Sequence, residues 1–132
     1  MARVARLSPL LALLALCGCG EEWGPTPKDR VDVQGRVRVG THPVSGGWVQ
    51  FIPIDGAVGD VRSARLRPDG TFKATKVARG RNAMRVVYPP ARLAIDRLFQ
   101  QFYTPVRPWI DGNSSLDIDL LREALRARDS AT

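Results

Sequence analysis

Two thiols separated by one residue, Cys17 and Cys19 in LALLALCGCG (11–20), are the first side chains in the sequence able to do chemistry. A structural metal centre needs about four nitrogen or sulfur ligands, and the only histidine, His42, cannot complete such a set. A Cys17–Cys19 disulfide would close over a single residue, which is sterically awkward. Neither a metal nor a redox pair is expected, so the flanking residues must explain the thiols.

Those flanks are a positive n-region with Arg3 and Arg6 and an apolar run from Leu7 to Leu16, broken only by Ser8 and Pro9. A helix that crosses a bilayer needs roughly 20 apolar residues. This shorter run has the length of a secretory h-region. Leu16-Cys17-Gly18-Cys19 resembles a bacterial lipobox, with a leucine three residues before the modified cysteine and a small residue directly before it. The resemblance implies that residues 1–18 leave as a signal peptide and that Cys19 carries a thioether-linked diacylglycerol. It also implies an exported, membrane-anchored location on the periplasmic or outer-membrane face. Plain secretion, with cleavage after Gly18 or Gly20, is the alternative. Either way the globular part keeps no cysteine pair for the oxidising compartment.

The remaining candidates for catalysis are sparse. His42 sits in a turn beside Pro43, and Ser45, Ser63, Ser114, Ser115 and Ser130 lie near turns or at outward strand positions. Nucleophilic catalysis needs an activated nucleophile and a base held by a third group, and no G-x-S-x-G is present. The expectation is a non-catalytic protein without a cofactor or bound metal. Asp117 and Asp119 share one strand face, because residues i and i+2 point the same way. Such a pair can serve acid–base chemistry or, with Asp111 and Asn113, calcium. The simpler expectation is an outward polar face paired with Arg36 or Arg38.

Basic residues gather between positions 60 and 85: Arg62, Arg65, Arg67, Lys73, Lys76, Arg79, Arg81 and Arg85. If neighbouring strands present them together, they form an anion-binding face for a glycan or an anionic lipid. Without aromatic interleaving, the expectation is electrostatic steering or weak adhesion. Nucleic acid is not an expected partner, because the compartment is wrong and no recognition motif occurs. The partners left are the membrane, through the anchor, and an envelope protein or glycan.

The formal net charge of +7 falls to about +5 once residues 1–18 are removed. Arginine supplies 17 of the 20 basic residues. A hydrophobic share of 44% and a charged share of 25% are ordinary for a folded domain. The expected organisation is a signal peptide (1–18), a lipidated cysteine and tether (19–30), one domain (31–121) and a C-terminal tail (122–132). The tether, GEEWGPTPKDR at 20–30, is rich in Gly, Pro and charge and has no apolar period. Fully extended, it reaches about 35 Å.

After the tether the period becomes two. VDVQGRVRV (31–39) alternates Val31, Val33, Gly35, Val37 and Val39 with Asp32, Gln34, Arg36 and Arg38, as a strand with one wet face does. WVQFIPI (48–54) is apolar on both sides, which predicts a central strand. Pro68-Asp69-Gly70 is a turn signal between Ala64, Leu66 and Phe72, Ala74, predicting a hairpin. NAMRVVY (82–88) and SLDIDL (115–120) are further strands. Between them Ile95, Leu98, Phe99 and Phe102 fall at helical spacing and predict a short helix or helical loop with these residues inward. LLREALRA (120–127) predicts a closing helical turn. Strands at this spacing argue for an all-β sandwich of ~7 strands.

The series Val33, Gly35, Val37, Gly40, Pro43, Val44, Gly46, Val49, Phe51 and Pro53, followed by Asp69-Gly70-x-Phe72 and the strand 116–120, resembles bacterial carboxypeptidase regulatory-like, or transthyretin-like, domains. The resemblance implies an immunoglobulin-like or prealbumin-like sandwich, and its motifs imply no chemistry. Transthyretin-like relatives that hydrolyse purine-derived substrates carry a C-terminal Tyr-Arg-Gly-Ser with histidines, and Arg128-Asp129-Ser130-Ala131-Thr132 does not match it. The segment ARLAIDRLFQQFYTPVRPWIDGN (91–113) is longer and more aromatic than the family's loop at that place. It is where a specific binding function would be sought, since loops on a rigid sandwich commonly carry one.

Overall fold

The computed structural model describes residues 30–112 and 114–132, the side chain of Ser114 excepted. The signal segment, Cys19, the tether up to residue 29 and Asn113 lie outside the described residues. Eight strands follow in chain order: β1 (Arg30–Val39), β2 (His42–Pro43), β3 (Trp48–Pro53), β4 (Arg62–Arg65), β5 (Thr71–Ala78), β6 (Gly80–Val87), β7 (Trp109–Ile110) and β8 (Ser114–Asp119). One helix, α1 (Leu120–Asp129), closes the chain. The architecture is an all-β sandwich, as the period-two pattern requires.

β1 organises the first sheet. Its Arg30–Arg36 stretch pairs antiparallel with β5, and Arg38 and Val39 pair with the short β2. Val33 to Arg38 pair in parallel with β8, so both edges of β1 are used. The second sheet runs β4-β3-β6-β7, with β3 between β4 and β6 as its two-sided apolar sequence predicts. Val33 and Val37 of β1 and Phe72, Ala74 and Val77 of β5 face Val49 and Phe51 of β3 and Met84 and Val86 of β6, all buried. The rings of Phe51 and Phe72 meet across the layers with centroids 5.8 Å apart and tilted by 48°. Burying side chains of this size contributes about 1.5–3 kcal/mol each, which makes this cluster the main source of stability.

Two backbone positions decide how the strands fit. A Cβ on Gly35 would run into the carbonyl oxygen of Leu116, so only glycine lets β8 come this close to β1. Between the Val33–Ala74 and Val31–Val77 pairs the register shifts, with Thr75 and Lys76 standing opposite Asp32 alone. Lys76 takes φ 56° at this bulge, and its N–H donates to Asp32 Oδ1 at 3.4 Å.

The Pro68-Asp69-Gly70 signal makes the expected hairpin. Arg67 N–H donates to the Thr71 carbonyl at 2.9 Å and Gly70 N–H to the Arg67 carbonyl at 2.8 Å. Asp69 Oδ1 accepts from the hydroxyl of Thr71 at 2.6 Å and from its N–H at 3.0 Å, and these bonds lower the Asp69 pKa. Helix α1 spans the boundary expected between residues 121 and 122. Its first residue, Leu120, is buried, and Ala124 packs against the core.

The segment 91–110 differs from its sequence pattern. Its helical part is one 3-10 turn, Arg97–Gln100, capped by Asp96, whose carboxylate accepts from Leu98 N–H at 2.9 Å. Phe99 is buried and Ile95 is partly buried, but Leu98 and Phe102, expected inward, are 36% and 61% exposed. A 3-10 turn repeats every three residues and stays short, so four helically spaced side chains cannot all face one way. The chain then runs extended beside β6, with Met84 N–H donating to the Val106 carbonyl at 2.9 Å and Asn82 N–H to that of Pro108 at 3.2 Å. Pro105 and Pro108 lack the N–H that a helix would need, which suits them to a sheet margin.

Substituting Gly35→Ala is expected to destabilise the protein by about 2 kcal/mol, as overpacking against backbone does. Gly46→Ala, whose Cβ meets only Pro90 Cγ at 3.4 Å, is expected to stay within about 0.5 kcal/mol of the parent. Urea unfolding of the two variants checks both values.

Candidate functional site

The outward positions of the first sheet mix cations with carboxylates, whereas those of the second carry cations without carboxylates. On the first sheet, Gln34, Arg36 and Arg38 of β1 stand in register with Ser115, Asp117 and Asp119 of β8. Arg38 binds both carboxylates, with Nε 3.1 Å from Asp117 Oδ1 and Nη1 3.2 Å from Asp119 Oδ2. Asp119 Oδ1 also accepts from the N–H groups of Gly40 at 2.9 Å and Leu121 at 3.1 Å, the second capping α1. The hydrogen bond from Arg38 holds the Asp117 carboxyl below the usual range. Burial pushes Asp119 up, but its backbone donors and Arg38 outweigh that and leave it lowered as well. The expected pairing with β1 is thus the role these carboxylates have. Asp111, the third residue weighed for calcium, binds Arg79. Among the described residues no group of three or more His, Cys, Asp or Glu side chains converges as a metal site would need.

The second sheet presents arginine and aromatic side chains. Its outward strand positions begin with Trp48 of β3, in register with Arg65 of β4 and Val87 of β6. Two residues on, Gln50 stands between Ser63 and Arg85. Arg85 Nε donates to Gln50 Oε1 at 2.7 Å, and Gln50 Nε2 donates to Ser63 Oγ at 3.2 Å. The guanidinium of Arg85 also lies over the Phe102 ring, 4.0 Å from its centroid. At the far margin Arg81 is in register with Trp109 and 5.7 Å from the centre of its ring. Trp48, Phe102 and Trp109 are 42%, 61% and 62% exposed. None of the outward positions on β3, β4, β6 and β7 is an Asp or Glu.

The eight cations gathered in sequence between positions 60 and 85 do not share one surface, and Lys76 stands at the β5 bulge. Arg65, Arg81 and Arg85 are on this face. Arg62 turns to the seam between the layers, donating from Nε to the Thr75 carbonyl at 2.9 Å. Arg79 is paired with Asp111 at the turn before β6. Arg65, Arg67 and Lys73 line a shallow concavity of about 450 Å³ with Ser45, Gly46, Leu66 and Pro68 on the β4–β5 hairpin. Arg92 reaches its edge, donating to Ser45 Oγ at 3.1 Å. Among the described residues none of Arg65, Arg67, Lys73, Arg81 and Arg85 has an ion pair.

The expected lack of aromatic interleaving is corrected here. Trp48, Phe102 and Trp109 interleave with the arginines, but from segments distant in sequence. The even parity of Trp48 and Gln50 against buried Val49 and Phe51 was a readable signal for the first. Phe102 and Trp109 join only because residues 101–110 return along β6. No protein-family model matches the chain. No curated protein matches it either. Among solved structures it is similar to a DUF3823 family protein from Parabacteroides merdae, at 14% identity and a TM-score of 0.46. The alignment covers 68% of this chain and 45% of that one, so the chain spans less than half of that protein's length.

The lowered carboxyls fix a direction for pH dependence. A group with a depressed folded pKa stabilises above its unfolded value, near 4, and that contribution is lost as pH falls through the folded value. The thermal midpoint is therefore expected to fall as pH drops below about 4. Asp119→Asn is expected to lower the midpoint at neutral pH and to flatten the acid slope, as followed by circular dichroism.

Proposed function

We propose that the chain is an exported lipoprotein, anchored in the membrane through Cys19, whose β-sandwich is a non-catalytic binding module of the cell envelope. Its binding surface is the outer face of the β4-β3-β6-β7 sheet, and its partner is an anionic envelope polymer. The observation that carries this reading is the contrast in carboxylates between the two faces. The first presents Asp117 and Asp119 beside its cations, whereas none of the outward positions around Arg65, Arg81 and Arg85 is an Asp or Glu, and these three have no ion pair among the described residues.

Unmatched cations on a rigid sheet attract a polyanion from a distance and hold it in proportion to the charges it neutralises. A lipid tether adds effective concentration at the envelope surface. The serines support a non-catalytic reading, since Ser63 Oγ accepts from Gln50 and Ser45 Oγ from Arg92, neither of which can act as a base. The membrane-bound assignment rests on the lipobox-like residues.

Two measurements test it. Intact-mass analysis of the membrane fraction is expected to show a diacyl increment that Cys19→Ser removes, and an unmodified soluble wild-type chain would sink the anchor. Binding to immobilised polyanion is expected to weaken steeply between low and physiological salt, and by about tenfold in the combined Arg65→Gln, Arg85→Gln variant. Binding that ignores salt argues against the charged face.

A further inference from the structure

We infer that the polymer recognised by this face is an acidic polysaccharide, and that Trp48 and Arg85 read one uronic acid residue, the first by its ring and the second by its carboxylate. This deepens the proposed anionic-polymer reading and rests on it. Arg85 is the most constrained cation on the face, held at Nε by Gln50 and over the Phe102 ring at 4.0 Å. Its Nη atoms make no hydrogen bond within the described residues. A guanidinium fixed this way presents a planar fork whose geometry matches a carboxylate, and little freedom remains to be lost when one binds.

Trp48 stands beside it, one strand across and two residues along, which puts the Cα atoms about 8 Å apart. Trp48 is 42% exposed, and the apolar face of a pyranose ring can lie against its indole. Arg65, in register with Trp48 on the opposite side, supplies a second unpaired cation for a neighbouring sugar of the chain. A polymer with anionic charge but no ring satisfies the arginines and leaves the tryptophan unused. A phospholipid surface satisfies the charge too, and its phosphates can accept from the same fork, but it offers no pyranose face to Trp48. The juxtaposed ring and fork favour a carboxylated sugar.

The full mature chain with Cys19→Ser, which removes the lipid, is titrated with oligogalacturonate, with inorganic polyphosphate of similar charge and with phosphatidylglycerol vesicles. Oligogalacturonate is expected to bind tightest. Trp48→Ala is expected to weaken it about tenfold while polyphosphate binding changes less than twofold, and Arg85→Lys, which keeps charge but loses the fork, is expected to weaken the galacturonate about tenfold as well. Unfolding curves matching the parent show that both variants are folded. Equal weakening of both polymers by Trp48→Ala, or no preference for the galacturonate, overturns the uronic acid assignment and leaves the anionic-polymer reading standing. Tighter binding to vesicles overturns it in favour of a membrane surface. Failure of all three probes to bind at low salt overturns both readings.

Discussion

The fold depends on β1 being paired along both edges. One edge is antiparallel to β5 and the other parallel to β8, so ten residues tie together one strand about forty positions downstream and another about eighty. That arrangement depends on Gly35, where a Cβ would strike the Leu116 backbone. Val33 and Val37, on either side of it, are fully buried and carry the contact through to the opposite sheet. Parallel pairing also sets the position of α1. Because β8 runs with β1, it ends at Asp119 beside Arg38, and the same carboxylate accepts from the turn after β1 and from the first turn of the helix.

This junction explains why the two outer faces differ. The first sheet has a central strand whose outward residues must coexist with a neighbouring strand rich in aspartate, so Arg38 is matched locally. The second sheet has no acidic strand. Its central strand offers Trp48 and Gln50 outward, and Gln50 orients a cation without neutralising it, because an amide oxygen accepts a hydrogen bond and carries no net charge. Arg85 is ordered by the Phe102 ring and an amide, and Arg81 by the Trp109 ring and the Arg107 carbonyl, which leaves their charge available. Cation–π contact and neutral hydrogen bonding hold a guanidinium in place at little electrostatic cost.

Much of the sandwich was legible in the period-two pattern. Alternation in 31–39, the two-sided apolar run of 48–53 and the Pro68-Asp69-Gly70 turn each fixed a local geometry that packing did not override. The short strands β2 and β7 were not legible, because two-residue bridges have no period and exist only through their partners. Residues 91–103 were misleading for a related reason. Helical spacing of Ile95, Leu98, Phe99 and Phe102 records composition over a segment whose real constraint is to hand the chain to the free edge of β6. The basic run between 60 and 85 was visible as a run, but its division among a face, a seam and a turn follows from strand parity and from where β6 and β7 meet. The aromatic members of the site come from β3 and from the segment 101–110, and only the fold brings them together.

An arginine face without counter-charges raises the question of why it does not destabilise the domain. Arg65 and Arg85 flank β3 on opposite sides and differ by two residues along it, so their Cα atoms lie about 12 Å apart. That exceeds the screening length of roughly 8 Å at physiological ionic strength, and mutual repulsion is correspondingly small. Arg81 is further along β6 still. A flexible polyanion is not limited in the same way, because successive charges on one chain can reach each cation in turn and their attractions add. The spacing therefore lets the folded protein tolerate unmatched charge, and under the proposed function it would let a polymer be held at several points. A single small anion would gain from only one of them, so on that proposal length of ligand, more than charge alone, is the property this surface would select.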